Sequence, residues 1–569
     1  MRILPQGGED EAPTWSPRSR RRSEAATRSA ASPVGLFALD SPRATLLYWG
    51  SVALVVTGLF ATRLLPCVDY PQHLALSDVA RRLQAPHAPE AATYELNFLT
   101  YNGLFHLVVA WLSNALPIEL AGRVVLAASL VAMAAACLAL VRVLGRPPEH
   151  AALFVPVLFS FSLGWGFANY VLATAIVAWT LVLVARATLR PSLASVAAIT
   201  ALGLLCAFAH VLAMLVLCVM AAALALEVAW RHATGDYGRR VAGTLLRAAI
   251  VLLPLAIGCA YCVAVYRRQY VWDPGMYRDP TIEGTAPPFW QKVVMFGAFA
   301  LDLFDDATDQ VILWVVIGVM ACAVFWRRQE ARAGAVSPER PAPIVAPFAL
   351  MTIAYFCTPM VCIGTHLIFP RLGQWLIFGA VLAMPRFPAR MVARARRYVL
   401  GLGVVAGVDV FLHCALFGWE TSDASAVIDE LPAARAATAV IWEPWTHAFR
   451  NGTLTHLAAY YAARKHGQWA FAFARYLSVP VRFKPNSQPA WPARGWEFDA
   501  EAYDPRCKYA RAFPLVIVKA PEGVPRDATG EPIVRKLVFK GDADTVRLLS
   551  HHGRFWAFDT TGLPEDGSL

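Results

Sequence analysis

The sequence predicts an all-α polytopic membrane bundle of about eleven transmembrane helices, followed by a C-terminal extracytoplasmic α/β domain. Hydrophobic residues make up 57% of the 569 residues and charged residues only 16%, whereas soluble domains carry about one quarter charged residues. Long apolar runs recur between Ala44 and Gly418, and hydropathy stays low beyond Trp419. The chain therefore divides into a basic tail (1–43), a membrane domain (44–418) and a C-terminal domain (419–569).

The N-terminal tail is rich in Arg, Ser, Pro and Ala and includes the cluster Arg18, Arg20, Arg21 and Arg22. This composition predicts a disordered cytoplasmic segment. It does not fit a cleaved signal peptide, because the first apolar stretch begins only near Ala44 and no small-residue cleavage site follows it. The alternative is a polybasic contact with anionic lipid.

Eleven apolar runs follow, and several reach the roughly 20 residues that span a bilayer. Runs near 15 residues are expected to tilt, to extend into their flanks or to be partly re-entrant. The runs are 44–65, 119–143, 151–165, 168–187, 191–209, 211–230, 244–266, 311–326, 344–365, 372–385 and 398–418.

Arginines between these runs predict the orientation of the chain. With a cytoplasmic N-terminus every predicted inner loop is basic, as the positive-inside rule requires. Counting 102–117 as a further span would invert all of them, so this segment is predicted to be an amphipathic helix in the outer interface. The inner-loop arginines are Arg142, Arg146, Arg186, Arg190, Arg231, Arg239, Arg240, Arg327, Arg328, Arg332, Arg340, Arg386, Arg390, Arg394, Arg396 and Arg397.

The opposite face receives a long first outer loop, 66–118, and several short turns. An odd number of spans also places residues 419–569 on this face. Strand-like runs, TAVIW at 438–442 and FPLVIV at 513–518, flank a helical run near His456–Ala472. This alternation predicts one small α/β domain.

Asp69 is the first candidate functional residue, since it lies about one turn beyond the predicted end of the first span. Pro71 follows it and suits the first turn of a helix, so one interpretation is that Asp69 is an N-cap. The other is a general base, or a metal ligand, in a cleft that faces the membrane.

Four more polar residues fall on the same predicted face, in turns that interrupt apolar runs. They are Asn169, His210, His366 and Arg371. Such groups are costly at the edge of a span unless they are paired or wet, so a cleft shared with Asp69 is expected. Arg371 could bind a lipid phosphate, and His210 could hold the same phosphate or assist proton transfer. The alternative for each is a polar residue that merely pairs with a neighbour.

His73 follows Asp69 by four residues, a spacing that places both on one helical face. The pair could orient a base, or it could bind a metal with a third ligand. No third ligand is evident in the sequence, so no metal or other cofactor is predicted, although a divalent cation is conceivable.

This layout resembles the GT-C class of membrane glycosyltransferases. The resemblance covers roughly the first 420 residues: a first span, a long outer loop with a carboxylate just past the membrane edge, and many spans with basic inner loops. It implies that Asp69 activates the acceptor and that the donor is a sugar on a polyprenyl phosphate. With Asp69 as the catalytic candidate, the outward polar residues become the candidates for substrate binding: His73, Asn169, His210, His366 and Arg371. The chain departs from the class pattern at Tyr70, where an acidic pair is often found, and the loop has no Asp-x-Asp.

The absence of several sequence motifs argues against other functional classes. No Walker loop, GxSxG elbow or HExxH motif is present, and no nucleic-acid-binding pattern accompanies the arginines. A lipid or solute transporter or flippase, and a non-catalytic envelope protein, remain alternative functions. The Arg- and Ala-heavy, Lys-poor usage is typical of a GC-rich bacterium, which predicts a location in the bacterial plasma membrane.

Overall fold

The computed structural model describes residues 37–272, 286–333, 344–362, 365–388, 391–476, 478–489, 492 and 495–563. Most of the predicted N-terminal tail and the inner-loop residues Arg340 and Arg390 lie outside these ranges. The α-helices of the membrane domain are α1 (Pro42–Gly58), α2 (Tyr70–Arg82), α3 (Leu104–Leu112), α4 (Ile118–Val143), α5 (Phe161–Gly164), α6 (Ala168–Leu189), α7 (Leu193–Ala209), α8 (Val211–His232), α9 (Tyr237–Trp272), α10 (Phe289–Val294), α11 (Phe296–Ala300), α12 (Thr308–Arg332), α13 (Ala346–Cys357), α14 (Gly373–Ala383) and α15 (Val392–Glu420).

Six helices within the described residues are long and apolar enough to cross a membrane, namely α4, α6, α8, α9, α12 and α15. Three shorter apolar helices cover Leu193–Ala209, Ala346–Cys357 and Phe369–Ala383. The protein is thus helical and rich in candidate spans, but the predicted count of about eleven is not confirmed.

The apolar run 151–165 is the clearest departure from the expected spans. It forms a 3-10 helix, Pro148–Leu158, followed by the single turn of α5. Pro147 and Pro148 open this segment and Pro156 interrupts it, and proline in a helix interior removes a hydrogen bond and clashes with the preceding turn. Its buried, apolar side chains therefore pack inside the bundle without forming a continuous α-helix.

Helices α1 and α15 pack closely because small residues line their contact. A Cβ atom on Gly407 would lie 2.7 Å from the carbonyl oxygen of Ser51, so only glycine permits this approach. Small residues serve the same purpose at other membrane-helix contacts. At its start, α1 is capped by Ser41, whose side chain accepts a hydrogen bond from the Ala44 amide.

Arginines predicted to lie in inner loops meet at one end of the bundle. Arg386 donates to the carbonyl of Gly145 at 2.8 Å, and Arg396 pairs with Asp40 at 2.7 Å. Arg186 and Arg231 lie in the last turns of α6 and α8. The arginines on α6 and α8 therefore occupy the helix ends opposite Asn169 and His210, as the predicted topology requires.

The first outer loop contains α2, the short strand β1 (Tyr94–Leu96) and α3. The predicted helix at 102–117 is present as Leu104–Leu112. Its placement in the outer interface stays a prediction.

The C-terminal part is an α/β unit built on a five-stranded mixed sheet with strand order β3-β2-β5-β7-β6. Strand β2 is parallel to β3 and β5, whereas β7 is antiparallel to β5 and β6. The elements are α16 (Ser422–Glu430), β2 (Ala436–Ile441), α17 (Leu457–Lys465), β3 (Gln468–Trp469), β4 (Val481–Phe483), α18 (Lys508–Arg511), β5 (Leu515–Lys519), α19 (Glu531–Phe539), β6 (Arg547–His552) and β7 (Phe555–Asp559).

The central strand β5 is buried on both faces, which explains the uninterrupted apolar run that predicted it. Leu515 and Ile517 join the core shared with the helical bundle. Val516 and Val518 join a second core with Trp496 on the other face of the sheet. The sheet thus docks on the membrane domain with one face and has a core of its own on the other.

The first outer loop and the C-terminal unit are interlocked. Strand β1 pairs antiparallel with β4, and the Tyr460 hydroxyl accepts from the Leu65 amide at 2.8 Å. Gln72 on α2 is completely buried: its Oε1 accepts from Trp469 Nε1 at 2.6 Å and from the Phe473 amide at 3.2 Å. The position of α2 is therefore determined largely by residues almost 400 positions away in sequence.

Replacing Gln72 by Leu is expected to destabilise the protein, because the two donors lose their acceptor without access to water. Each buried donor left unsatisfied costs about 1–3 kcal/mol. Thermal unfolding of the purified chain in detergent should show a clear decrease in Tm. Gln84→Leu, at an exposed position just after the same helix, is the matched control, and equal Tm values for the two variants would contradict this account of the docking.

Candidate functional site

One cavity of about 580 Å³ is lined by all six residues that the sequence singled out: Asp69, His73, Asn169, His210, His366 and Arg371. It lies where the first outer loop, the N-terminal ends of α6 and α8 and the segment before α14 meet the C-terminal unit. The structure thus brings these residues together, and their roles with a substrate stay predictions.

The backbone of Asp69 is held against the turn that precedes α6. The amides of Val68 and Asp69 donate to the carbonyls of Gly164 and Trp165, both at 3.0 Å. Gly166 adopts φ +77°, and a Cβ atom there would lie 2.6 Å from the Asp69 nitrogen. Glycine is required at this position both for its left-handed backbone and for the close approach.

The Asp69 side chain does not act as a helix cap. Asp69 occupies the N-cap position of α2 but makes no capping hydrogen bond. Its Oδ1 instead lies 3.2 Å from Nε2 of His456, while Oδ2 makes no hydrogen bond within the described part of the chain. The carboxylate therefore lines the cavity with one oxygen engaged and the other free to accept a proton.

His456 and Glu497, both from the C-terminal unit, complete this group. His456 immediately precedes α17 and is 5% exposed, and its Nδ1 lies 2.8 Å from Oε1 of Glu497. Burial disfavours the imidazolium, but the adjacent Glu497 and Asp69 carboxylates outweigh it and raise the pKa of His456 to about 10. Neither residue was anticipated, because no motif marks them and His456 is 387 positions from Asp69.

His73 lies one turn after Asp69 and pairs with His106 of α3, their Nδ1 and Nε2 atoms 3.0 Å apart. Burial lowers the pKa of His73 to about 4, despite the opposing effect of Asp69. His73 is therefore neutral at physiological pH. The predicted proximity of Asp69 and His73 is present, but the histidine is tied to the outer-loop helix instead of to the carboxylate.

Arg371 is a buried cation that forms no ion pair with a carboxylate of the described residues. Its guanidinium carbon sits 3.6 Å from the centre of the Phe167 ring, and its Nη2 donates to the His366 carbonyl at 3.0 Å. Among the described residues no carboxylate lies within 4.0 Å of it, and its Nε has no hydrogen-bond partner. A buried, unpaired charge is costly, so this site is suited to an anion.

His210 faces the same guanidinium. Its Nδ1 accepts from the Leu212 amide at 3.1 Å, capping α8, and its Nε2 lies 3.2 Å from Arg371 Nη1. A neutral imidazole has one N–H and cannot accept at both nitrogens. With Nδ1 as acceptor, Nε2–H and the arginine are two donors facing one another, and an anion placed between them would satisfy both.

Asn169 makes contacts between helices, and His366 lies at the edge of the cavity. The Asn169 side chain accepts from the Phe105 amide at 3.1 Å and approaches His106 at 3.2 Å, so it holds α3 against α6. His366 is exposed at the cavity rim, and its carbonyl rather than its ring contacts Arg371. Within the ranges described, no group of three or more His, Cys, Asp or Glu residues could hold a metal ion.

Of three comparisons with known proteins, only the one with solved structures found a similarity. No protein-family model matches the chain, and no curated protein matches it. The chain is similar to crystal structures of ArnT from Cupriavidus metallidurans. The structure bound to undecaprenyl phosphate is 12% identical, with 92% of this chain and 99% of that chain covered and a TM-score of 0.45. The apo structure is also 12% identical, covering 90% and 97%, again with a TM-score of 0.45.

The His456 group makes stability dependent on pH. The folded-state pKa of about 10 exceeds the ordinary value of 6.5, so the stabilisation is complete below about pH 6.5 and is lost as the pH rises towards 10. Compared with His456→Gln, the wild-type chain should therefore lose more Tm between pH 6.5 and pH 10. His447→Gln, which alters an exposed histidine of the same unit, serves as control, and a wild-type advantage that is constant with pH would refute the assignment.

Proposed function

We propose that this protein is a membrane glycosyltransferase that moves a sugar from a polyprenyl-phosphate donor to an acceptor hydroxyl on the outer face of the bacterial plasma membrane. The observation that carries the proposal is the pairing of two groups in one cavity. In the part of the chain that the structure describes, Asp69 offers a carboxylate oxygen without a hydrogen bond, and Arg371 offers a buried positive charge without an ion-pair partner. Together they provide a base and an anion site at the end of an apolar bundle.

The anion site suits the phosphate of a lipid donor. The planar guanidinium of Arg371 can bind phosphate oxygens in a bidentate manner, and Nε2–H of His210 can donate to the same group. Burial strengthens both interactions, because water does not compete. The phosphate would also relieve the unpaired charge and the facing donors described above.

A second, apolar cavity of about 450 Å³ adjoins this site and shares Tyr101, Val211 and Thr365 with it. Its walls come mainly from α8, α9 and α13, with side chains such as Met214, Val263 and Met351. A polyprenyl chain could lie in this groove while its phosphate reaches Arg371. A polar head site joined to an apolar groove favours an amphiphilic donor over a soluble sugar nucleotide.

In the proposed reaction, Oδ2 of Asp69 accepts the proton of the acceptor hydroxyl while the acceptor oxygen bonds to the anomeric carbon. The bond between that carbon and the phosphate oxygen breaks, and its electron pair leaves with the polyprenyl phosphate. Arg371 and His210 stabilise the charge that develops on this leaving group. The flippase alternative is less favoured, because the polar residues lie at helix ends and not at the middle of the candidate spans.

Asp69→Asn is expected to reduce sugar transfer by about 10²–10⁴-fold, since the amide keeps the shape of the side chain but cannot accept the proton. The assay is release of polyprenyl phosphate from a panel of polyprenyl-phosphate sugars, followed by mass spectrometry. Asp305→Asn, at an exposed carboxylate, is the control. Full turnover in Asp69→Asn would end the assignment of Asp69 as the base.

Arg371→Leu is expected to weaken binding of polyprenyl phosphate by at least about tenfold, because a charge-assisted contact in a desolvated site is lost. The measurement is the increase in Tm on titration with polyprenyl phosphate, compared with the uncharged polyprenol. Arg394→Leu, at an exposed arginine near the start of α15, should bind like the wild type. Equal stabilisation of Arg371→Leu and Arg394→Leu would place the phosphate elsewhere.

A further inference from the structure

We propose that His456 and Glu497 are positioning residues for Asp69, so that the C-terminal unit completes the catalytic site instead of only covering it. His456 donates Nε2–H to Oδ1 of Asp69, and Glu497 fixes the ring from the other side. This inference rests on the proposed transferase function. It assigns a role to the C-terminal unit, for which the sequence offered none.

The two neighbouring carboxylates favour a doubly protonated ring. The two nitrogens of His456 face carboxylate oxygens of Asp69 and Glu497, at 3.2 and 2.8 Å. A carboxylate can only accept, so the contact with Asp69 requires a proton on Nε2. Glu497 lies at ion-pair distance from Nδ1, and the pKa of about 10 reflects both carboxylates.

The ring is also immobilised. Phe473 packs against it edge-on with centroids 5.4 Å apart, and Phe498 does so at 6.4 Å. Glu497 is adjacent to Trp496, which is buried under the sheet and donates to the Thr438 hydroxyl at 2.9 Å. The carboxylate that holds His456 is thus anchored in the second core of the C-terminal unit.

This arrangement has one consequence for Asp69. The hydrogen bond to Oδ1 leaves Oδ2 as the oxygen that receives the acceptor proton. The other titratable groups around the pair are His73, Arg371 and Tyr476, and the Gln72 amide approaches His456 at 3.2 Å.

Two variants separate the charge of His456 from its orientation. In Glu497→Gln the amide can still donate to Nδ1 of a neutral ring, so Nε2–H still reaches Asp69 but the positive charge is lost. In His456→Leu both are lost. We expect kcat to fall about 10²-fold in His456→Leu and by less in Glu497→Gln, in which the hydrogen bond to Asp69 remains. KM for the donor should change little, because Arg371 and His210 hold the phosphate.

The experiment combines kcat and KM of these variants with nitrogen-15 NMR of histidine side chains in the full-length chain, using His456→Leu to assign the signal and His447→Gln as control. The expected result is an imidazolium signal for His456 that persists above pH 8 and disappears there in Glu497→Gln. A neutral His456 at pH 7, or wild-type kcat in His456→Leu, would overturn the inference. A wild-type chain that consumes no polyprenyl-phosphate sugar would instead contradict the proposed function.

Discussion

The contact between the first outer loop and the C-terminal unit determines the geometry of the site. Helix α2 carries Asp69 at its start and Gln72 one turn later, and both side chains are bonded to residues of the C-terminal unit. Because α2 is buried there, its polar groups must be satisfied internally. The docking that satisfies Gln72 also brings His456 to Asp69, so the same contact that positions the loop completes the cavity.

On the other side of the cavity lies a buried charge that makes no ion pair within the described ranges. Arg371 is buried against Phe167, and the groups nearest to its guanidinium are a carbonyl and an imidazole. Desolvating a guanidinium costs several kcal/mol, and a bound anion would offset this cost. The adjoining apolar groove then explains why that anion would be the head of a lipid.

The sequence predicted one part of this arrangement and not another. Span length and helix period are local properties, so hydropathy and the positive-inside rule could predict which residues share a face. They predicted one face for Asp69, Asn169, His210, His366 and Arg371, and the structure gathers these residues around one cavity. The pairing of Asp69 with His456 is a tertiary contact without a local signal. The run 151–165 does not form the continuous α-helix that its hydropathy predicts, because Pro147, Pro148 and Pro156 interrupt it.

We propose that Arg371 and Asp69 line one lipid-donor site, in which Arg371 faces the phosphate and Asp69 faces the acceptor. The most direct test is an experimental structure of the full chain in lipid nanodiscs with a polyprenyl phosphate bound. We predict phosphate density within hydrogen-bond distance of Arg371 and His210, with the polyprenyl chain between α8, α9 and α13 and the cavity beside Asp69 open to an acceptor. Phosphate density at the opposite, arginine-rich end of the bundle, with the Arg371 cavity unchanged, would contradict the account.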